Sequence, residues 1–127
     1  MNQQLFLQRI ARGNQSKNFI FVRRTLATKL VGADRENYVS EIAATGWKVQ
    51  SDRDAVEKTF EFLNFSQAWS FMSRSALLAE KMDHHPEWFN VYNRVEVTLS
   101  THDCGGISSN DIEMAQPMDR FAADLVR

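Results

Sequence analysis

The sequence predicts an α+β domain in which three helices pack on one face of a four-stranded antiparallel sheet. Segments with helical and strand-like periodicity follow one another in the order αββαββα. The strands come in two pairs, and a short polar turn joins each pair. The length of 127 residues allows one such domain, and 43% hydrophobic with 24% charged residues is the balance of a soluble globular protein.

The first helix is predicted over residues 34–45. Asp34 is a residue type that caps helix N-termini, and Gly46 can adopt the left-handed conformation in which many helices end. Between them lies an apolar stripe at helical spacing, formed by Tyr38, Val39, Ile42 and Ala43.

The first strand pair consists of a short strand at 47–49, a polar turn at 51–54 and a half-buried strand at 56–62. Trp47, in the short strand, is expected in the core. The longer strand separates apolar from polar side chains, with Val56, Phe60 and Phe62 on one face and Glu57, Thr59 and Glu61 on the other.

Residues 65–82 give the clearest helical pattern. One apolar stripe consists of Phe65, Ala68, Trp69, Met72, Ala76 and Ala79. A second stripe beside it consists of Phe71, Leu78 and Met82. Together they cover roughly half of the helix surface, whereas one sheet normally buries a stripe about 100° wide. We therefore expect the second stripe to lie at a subunit interface and Trp69 to lie in the core.

The second strand pair is a hairpin around Asn93, formed by residues 88–92 and 94–101. Pro86 ends the preceding helix, because its ring is incompatible with a helix interior. In the second hairpin strand, the side chains expected to face the core are Val95, Val97 and Leu99.

The last helix follows a break at Gly105-Gly106. Ser108 with Asp111 three residues later resembles a capping box, which marks a helix start. The apolar side of this helix consists of Ile112, Ala115, Met118, Phe121, Ala122 and Leu125. Pro117 lies inside the helix and is expected to kink it.

Charge is distributed unevenly along the chain, although the formal net charge is only −1. Residues 1–33 contain six basic and no acidic side chains, whereas residues 34–127 contain nine basic and sixteen acidic ones. We therefore divide the chain into a basic leader, 1–33, and an acidic domain, 34–127. We interpret the leader as a disordered basic tail, with a mitochondrial transit peptide and a nucleic-acid arm as alternatives.

Several classes of protein are disfavoured by composition. No apolar run approaches the roughly 18 residues that a membrane span requires. The single cysteine, Cys104, cannot close an internal disulfide, so a reducing compartment is expected. We expect the cytoplasm, with the nucleus and, through the leader, the mitochondrion as alternatives.

The three histidines of the chain are candidates for proton transfer. His84 and His85 lie where the long helix ends, and His102 lies where the last strand ends, so the three can meet at one rim of the domain. Imidazole titrates near neutral pH, which suits acid–base catalysis. Carboxylates that could orient these rings are Glu80, Asp83, Asp103 and Asp111, and Trp88 offers a flat wall for a ring-shaped ligand.

Two alternatives concern the same residues. Together with Cys104, the histidines could bind zinc, but adjacent side chains diverge and no Cys-x-x-Cys or His-x-x-x-His spacing is present, so no metal is expected. The His-His-Pro sequence could instead be a helix stop with exposed imidazoles. For Cys104 a small buried thiol is the preferred interpretation.

The pattern around the histidines resembles a known family. Residues 80–93 read EKMDHHPEWFNVYN and residues 99–106 read LSTHDCGG. The characteristic residues are Glu80, His84, His85, Pro86, Tyr92, His102 and Asp111. This pattern is similar to that of the pterin-4a-carbinolamine dehydratases, a family also known as the dimerisation cofactor of a hepatocyte homeodomain transcription factor. The resemblance covers residues 34–127, and Pro117 departs from it.

The resemblance implies a hydro-lyase that converts 4a-hydroxytetrahydrobiopterin to quinonoid dihydrobiopterin and water in pterin recycling, without a metal or a redox cofactor. It implies that His84 and His102 are the acid and the base, in either order, and that His85 holds the pterin. The implied substrate-binding residues are Asp83, His84, His85, Pro86, Trp88, Ser100, Thr101, His102 and Asp103. Glu80 and Asp111 would support them.

The resemblance also implies partners. Sheets would join across a dimer, and the long helices would pack two dimers into a homotetramer. A rival function in a different class is that of a binding module for the dimerisation helices of a homeodomain transcription factor, acting as a coactivator. Neither direct nucleic-acid binding nor membrane binding is expected.

Overall fold

The computed structural model describes residues 27–126, and its elements follow the predicted αββαββα order. Along the chain these are α1 (Gly32–Ala43), β1 (Lys48–Val49), β2 (Val56–Glu61), α2 (Phe65–Met82), β3 (Glu87–Val91), β4 (Arg94–Leu99), a 3₁₀ turn (His102–Cys104) and α3 (Ser109–Leu125). The bounds of α2 are those predicted, and each predicted strand is present. No helix in the described range is long and apolar enough to cross a membrane.

The four strands form one antiparallel sheet in the order β1-β2-β4-β3. In the central pair, Val56 lies opposite Leu99 and Phe60 lies opposite Val95. These four side chains are buried on the face that the helices cover, whereas the polar side chains of the other face of β2 are exposed. The predicted alternation is confirmed, because a strand turns successive side chains to opposite faces.

An aromatic cluster fills the space between this sheet face and α2. The ring centroid of Phe71 lies 4.6 Å from that of Phe60 and 5.1 Å from that of Phe62. Trp47 meets Phe60 edge to face at 5.8 Å and is 2% exposed, as predicted for a core residue. Such pairs add a favourable geometry to the burial of large apolar surfaces.

Helix α2 turns a different side to the core than the sequence predicted. Phe71 is fully buried rather than at a subunit interface, and Trp69 is 57% exposed rather than in the core. The residues of α2 that are buried are Ala68, Phe71, Ser75 and Ala79. Leu78 and Met82 pack against the margin of the core. The apolar arc of α2 is wider than its contact with the sheet, so the sequence does not specify which part of the arc faces the sheet. Phe71 faces the sheet because its ring fits among those of Phe60 and Phe62.

Helix α1 begins at Gly32, two residues before the predicted cap. Val31 is the N-cap and makes no side-chain capping bond, so the prediction for Asp34 is wrong. Asp34 instead lies in the first turn, where its negative charge interacts favourably with the helix dipole. Gly46 has the predicted positive φ, of 100°, just after the helix. Ile42 is the buried residue of α1, while Tyr38 is exposed.

Residues ahead of α1 already contact the domain. Leu30 is buried, and its backbone N–H donates to the carbonyl of Ile107 at 3.0 Å. The last residues of the predicted leader therefore contact the domain. Residues 1–26 lie outside the described range, so the proposed nature of the leader stays a prediction.

Helix α3 starts with the predicted capping box. The Ser108 side chain accepts from the backbone N–H of Asn110, and the Asp111 carboxylate accepts from that of Ser108. The helix continues through Pro117 to Leu125. The capping box fixes the point at which the chain enters α3, and this point lies beside the candidate site.

A buried hydroxyl on α2 offers a test of the packing. Ser75 is 1% exposed, and its Oγ has no hydrogen-bond partner among the described residues. We expect Ser75→Ala to raise the free energy of unfolding by about 1 kcal/mol, because a buried hydroxyl without a partner is destabilising. Urea denaturation measures the change. Ser73→Ala, on a half-buried position of the same helix, controls for helix propensity; an equal gain in both variants would contradict the explanation.

Candidate active site

His84 is held at the C-terminus of α2 by a tight helix-ending turn. Asp83 adopts the left-handed conformation, with φ of 48°, and its N–H donates to the carbonyl of Glu80. The N–H of His84 donates to the carbonyl of Ala79 at 3.1 Å. This pair of bonds is a Schellman motif in which aspartate, a residue that tolerates the left-handed region, occupies the usual glycine position. The motif places the His84 ring inside the domain, where it is 8% exposed.

The buried carboxylate of Asp111 collects three hydrogen bonds. Oδ1 lies 2.7 Å from Nε2 of His84, and Oδ2 accepts from the Thr101 hydroxyl at 2.9 Å and from the Ser108 N–H at 2.8 Å. Asp111 is fully buried in the first turn of α3, where the helix dipole favours a negative charge. Because an ionised carboxylate can only accept, Nε2 of His84 carries the proton in this contact.

Two buried hydroxyls extend this network. Oγ1 of Thr101 and Oγ of Ser108 are 2.5 Å apart. Since the single hydroxyl proton of Thr101 goes to Asp111, Ser108 is the donor in this pair. The network therefore joins the end of α2, the end of β4 and the start of α3.

His102 follows Thr101 directly and lies in the exposed 3₁₀ turn. His84 and Thr101 both bond to Asp111, so the end of α2 lies close to the end of β4, and the meeting of the three histidine rings at this rim stays a prediction. His85 is also exposed, and its Nε2 lies 2.6 Å from the carboxylate of Glu80, one helical turn earlier.

The remaining predicted residues surround this core of the site. Pro86 and Trp88 are half-buried, and Asp83 and Asp103 are exposed. The Ser100 hydroxyl donates to the backbone carbonyl of Asp54 at 3.0 Å, so its proton is committed within the protein. Cys104 is half-buried rather than buried, and its Sγ donates to the carbonyl of Ala27 at 3.2 Å. In the described range no group of three or more His, Cys, Asp or Glu side chains is placed to hold a metal ion.

Sequence reasoning assigned no role to the turn between β1 and β2. Both guanidinium nitrogens of Arg53 bind the carboxylate of Glu87, at 2.7 and 2.9 Å, at the start of β3. The hydrogen bond from Arg53 lowers the pKa of Glu87 and in turn raises the pKa of Arg53. The sequence around Arg53 does not predict that it binds Glu87, because the two residues are 34 positions apart in the chain.

Comparison with known proteins identifies the family. The sequence model of the pterin 4 alpha carbinolamine dehydratase family matches residues 28–121. The chain belongs to this family. A pterin-4-alpha-carbinolamine dehydratase, so named provisionally, from Jannaschia sp. (strain CCS1) is 54% identical over 97 residues, which are 76% of this chain and 99% of the relative. A relative of the same provisional name from Novosphingobium aromaticivorans is 54% identical over 93 residues, covering 73% and 95%.

Two solved structures share the fold with this dehydratase-family chain. One is described as a transcriptional coactivator/pterin dehydratase from Brucella melitensis, with 43% identity, a TM-score of 0.70, and coverage of 75% of this chain and 99% of that one. The other is described as a pterin dehydratase-like protein that is a RuBisCO assembly factor in the alpha-carboxysome. It has 25% identity, a TM-score of 0.52, and coverage of 60% and 88%.

The Arg53–Glu87 pair predicts a specific loss of stability in acid. Because the folded-state pKa of Glu87 lies below the ordinary value of 4.5, the pair contributes fully above that value and its contribution is lost as the pH falls through the lowered pKa. Both side chains are largely exposed, so the contribution is less than about 1 kcal/mol. We expect Glu87→Gln to lower the urea midpoint at neutral pH and to match the wild type at about pH 2. A difference that persists in acid, or equals that of Glu113→Gln, would contradict this.

Proposed function

We propose that the protein catalyses the loss of water from 4a-hydroxytetrahydrobiopterin, giving quinonoid dihydrobiopterin, as a hydro-lyase of pterin recycling. The observation that carries the proposal is the buried His84–Asp111–Thr101 network directly beside the exposed His102. The family relationship supports it, since relatives that match nearly end to end are named as dehydratases of this kind.

The reaction requires two proton transfers and no change of oxidation state by an external reagent. A general acid gives a proton to the C4a hydroxyl, which leaves with its bonding electron pair as water. A base takes a proton from a ring nitrogen, whose electrons form the new double bond to C4a. Each positioned proton transfer contributes roughly 10²–10⁴-fold to the rate.

The environments of the histidines fit different parts of this task. His84 is buried with one nitrogen fixed by Asp111, so its orientation and tautomer are set before substrate arrives. His102 is exposed on a separate segment and can approach a flat ring from another side. We assign proton transfer to this pair, and binding of the pterin to His85 with its partner Glu80. Pro86 and Trp88 form the adjacent wall.

A spectrophotometric dehydration assay on the purified chain tests the activity, after subtraction of the uncatalysed reaction. We expect acceleration that survives prolonged chelation, because the proposed chemistry is proton transfer. Activity that is lost on chelation and restored by Zn²⁺ would contradict the mechanism. A chain that gives no acceleration would favour the binding-module alternative.

The three histidines are expected to differ in their kinetic effects. His84→Ala and His102→Ala should lower kcat by about 10²-fold or more, because each removes a group that acts in the transition state. His85→Ala should mainly raise KM, since binding common to ground and transition states leaves kcat unchanged. Steady-state kinetics at several substrate concentrations separate the two cases. A loss of kcat in His85→Ala as large as in the other two, at unchanged KM, would reject this division of roles.

We also propose a homotetramer built as a dimer of dimers. Strand β3 is an edge of the sheet, so its backbone groups can pair with a second copy. On α2 the exposed apolar stripe consists of Phe65, Trp69 and Leu77 rather than the stripe predicted from sequence. Phe65 and Trp69 stack on each other at 6.2 Å, which leaves a contiguous apolar surface for another helix.

The same stripe is what favours the second candidate function. An apolar helix face can pack against the dimerisation helices of a transcription factor as well as against a second copy, and the Brucella melitensis structure is described as a coactivator as well as a dehydratase. The two functions use different surfaces, because the stripe lies along α2 while the histidines lie at and beyond its end.

Sedimentation velocity tests the assembly. The double variant Trp69→Glu with Leu77→Glu should sediment as a dimer, since it places charges in the proposed helical interface. Tyr38→Glu, on an exposed position of α1, should sediment like the wild type. An unchanged sedimentation coefficient in the double variant would contradict the role of the stripe. Retained dehydration by the dimer would show that catalysis and helix packing are separable.

A further inference from the structure

The segment that carries His102 is a closed turn between β4 and α3. Its two ends are joined by an antiparallel bridge, in which the Thr101 N–H donates to the Gly106 carbonyl at 2.9 Å and the Gly106 N–H donates back at 3.3 Å. Within the turn, the Gly105 N–H donates to the His102 carbonyl at 3.0 Å. A turn closed in this way moves as a unit, so the place of His102 depends on what holds the bridge.

Asp54, the last residue of the turn between β1 and β2, contacts the chain on both sides of the bridge. Its backbone carbonyl accepts from the Ser100 hydroxyl at 3.0 Å, and its Oδ2 accepts from the Ile107 N–H at 3.1 Å. Ser100 precedes the bridged pair, and Ile107 follows it. One residue therefore holds both ends of the His102 segment.

The fit between Asp54 and this segment is close. A Cβ at Gly106 would overlap Oδ2 of Asp54 and lie 2.9 Å from its Cγ, so the backbone of the bridge touches the carboxylate. Oδ1 of Asp54 lies 2.7 Å from Nη2 of Arg35 on α1, and both side chains are about 70% buried. The carboxylate is thus held from two directions: Oδ1 forms an ion pair with α1 without a hydrogen bond, and Oδ2 accepts a hydrogen bond from the backbone that follows His102.

The adjacent residue of the same turn reaches the other part of the site. Arg53 binds Glu87 through two hydrogen bonds, and Glu87 follows His84, His85 and Pro86 directly. The turn therefore contacts both histidine-bearing segments. The contact through Asp54 is the more buried of the two, and it acts on a segment whose histidine is exposed and makes no ring hydrogen bond to another described residue.

We propose that Asp54 is a positioning residue that sets the place of His102 relative to His84. This inference rests on the proposed function. Asp54 contacts neither imidazole and acts through the backbone of the His102 segment. Misplacement of a reacting group by about 1 Å can cost on the order of 10²-fold in rate, so the effect of losing Asp54 falls on kcat.

The test compares Asp54→Ala with Asp52→Ala, which removes an exposed carboxylate from the same turn. We expect Asp54→Ala to lower kcat by about tenfold or more while KM changes less than about threefold. We also expect the ring resonances of His102, in a proton–carbon correlation spectrum of the three histidines, to shift or broaden while those of His85 stay in place. Asp52→Ala should match the wild type in both measurements.

The outcomes separate this inference from the proposed function. A wild type without dehydration activity removes the proposed function, and the His102 resonance alone then decides whether Asp54 holds the segment. In an active enzyme, an unchanged kcat or an unmoved His102 resonance in Asp54→Ala overturns the inference. An equal loss of kcat in Asp52→Ala overturns it as well, because the loss would then follow from removing a negative charge from the turn rather than from the contacts of Asp54.

Asp54→Asn decides the matter if the alanine variant does not fold, as judged by circular dichroism and thermal unfolding. An amide keeps the shape but presents an N–H group either to Arg35 or to the Ile107 N–H, so one of the two contacts is lost in either orientation. We expect kcat to fall at least about threefold with a displaced His102 resonance. A kcat and a resonance equal to those of the wild type would overturn the inference.

Discussion

The arrangement of the candidate site depends on the hydrogen bonds that the buried carboxylate of Asp111 accepts. It is fully buried and satisfied by His84, Thr101 and Ser108, which come from three different parts of the chain. A buried charge is tolerated only when such donors surround it, and removal of a donor leaves a desolvation penalty of roughly 1–3 kcal/mol or more. The end of α2, the end of β4 and the start of α3 are therefore obliged to meet.

This constraint explains why a small domain can hold a buried imidazole in one orientation. The hydrophobic core between the sheet and the helices, which includes Phe60 and Phe71, holds these elements together. Apolar packing is not directional, however, and it does not select the tautomer or the angle of a ring. The hydrogen bonds to Asp111 supply that direction, whereas His85 and His102 are exposed and lie outside this network.

The histidines and the exposed apolar side chains of α2 lie on different parts of the domain surface. The histidines lie at and beyond the C-terminus of α2, whereas the exposed apolar side chains Phe65, Trp69 and Leu77 lie along its length. The proposed pterin site therefore lies at one end of this helix, and the proposed protein interface lies on its side. This arrangement is consistent with solved relatives whose descriptions name a dehydratase, a coactivator and an assembly factor.

Local sequence patterns were sufficient to predict most of the helices and strands. The alternation around Val95, Val97 and Leu99, the capping box of Ser108 with Asp111 and the periodicity of residues 65–82 each depend on neighbours within a few positions. Because strand alternation, helical periodicity and capping follow from the local geometry of the backbone, the predicted elements are present in the fold. The candidate histidines and the family could also be predicted from the sequence, because both are recognised by residue type and by spacing along the chain.

The way in which these elements face one another depends on contacts that form in the folded domain. Helix α2 is rotated so that Phe71 is buried and Trp69 is exposed. Its apolar arc is broader than its contact with the sheet, so the shape of the sheet surface selects which side of the helix is buried. The bonds of Asp111 to His84 and Thr101, and the bond of Asp54 to the Ile107 N–H, join residues 10 to 53 positions apart. Contacts of this kind depend on distances through space, and no local pattern in the chain encodes them.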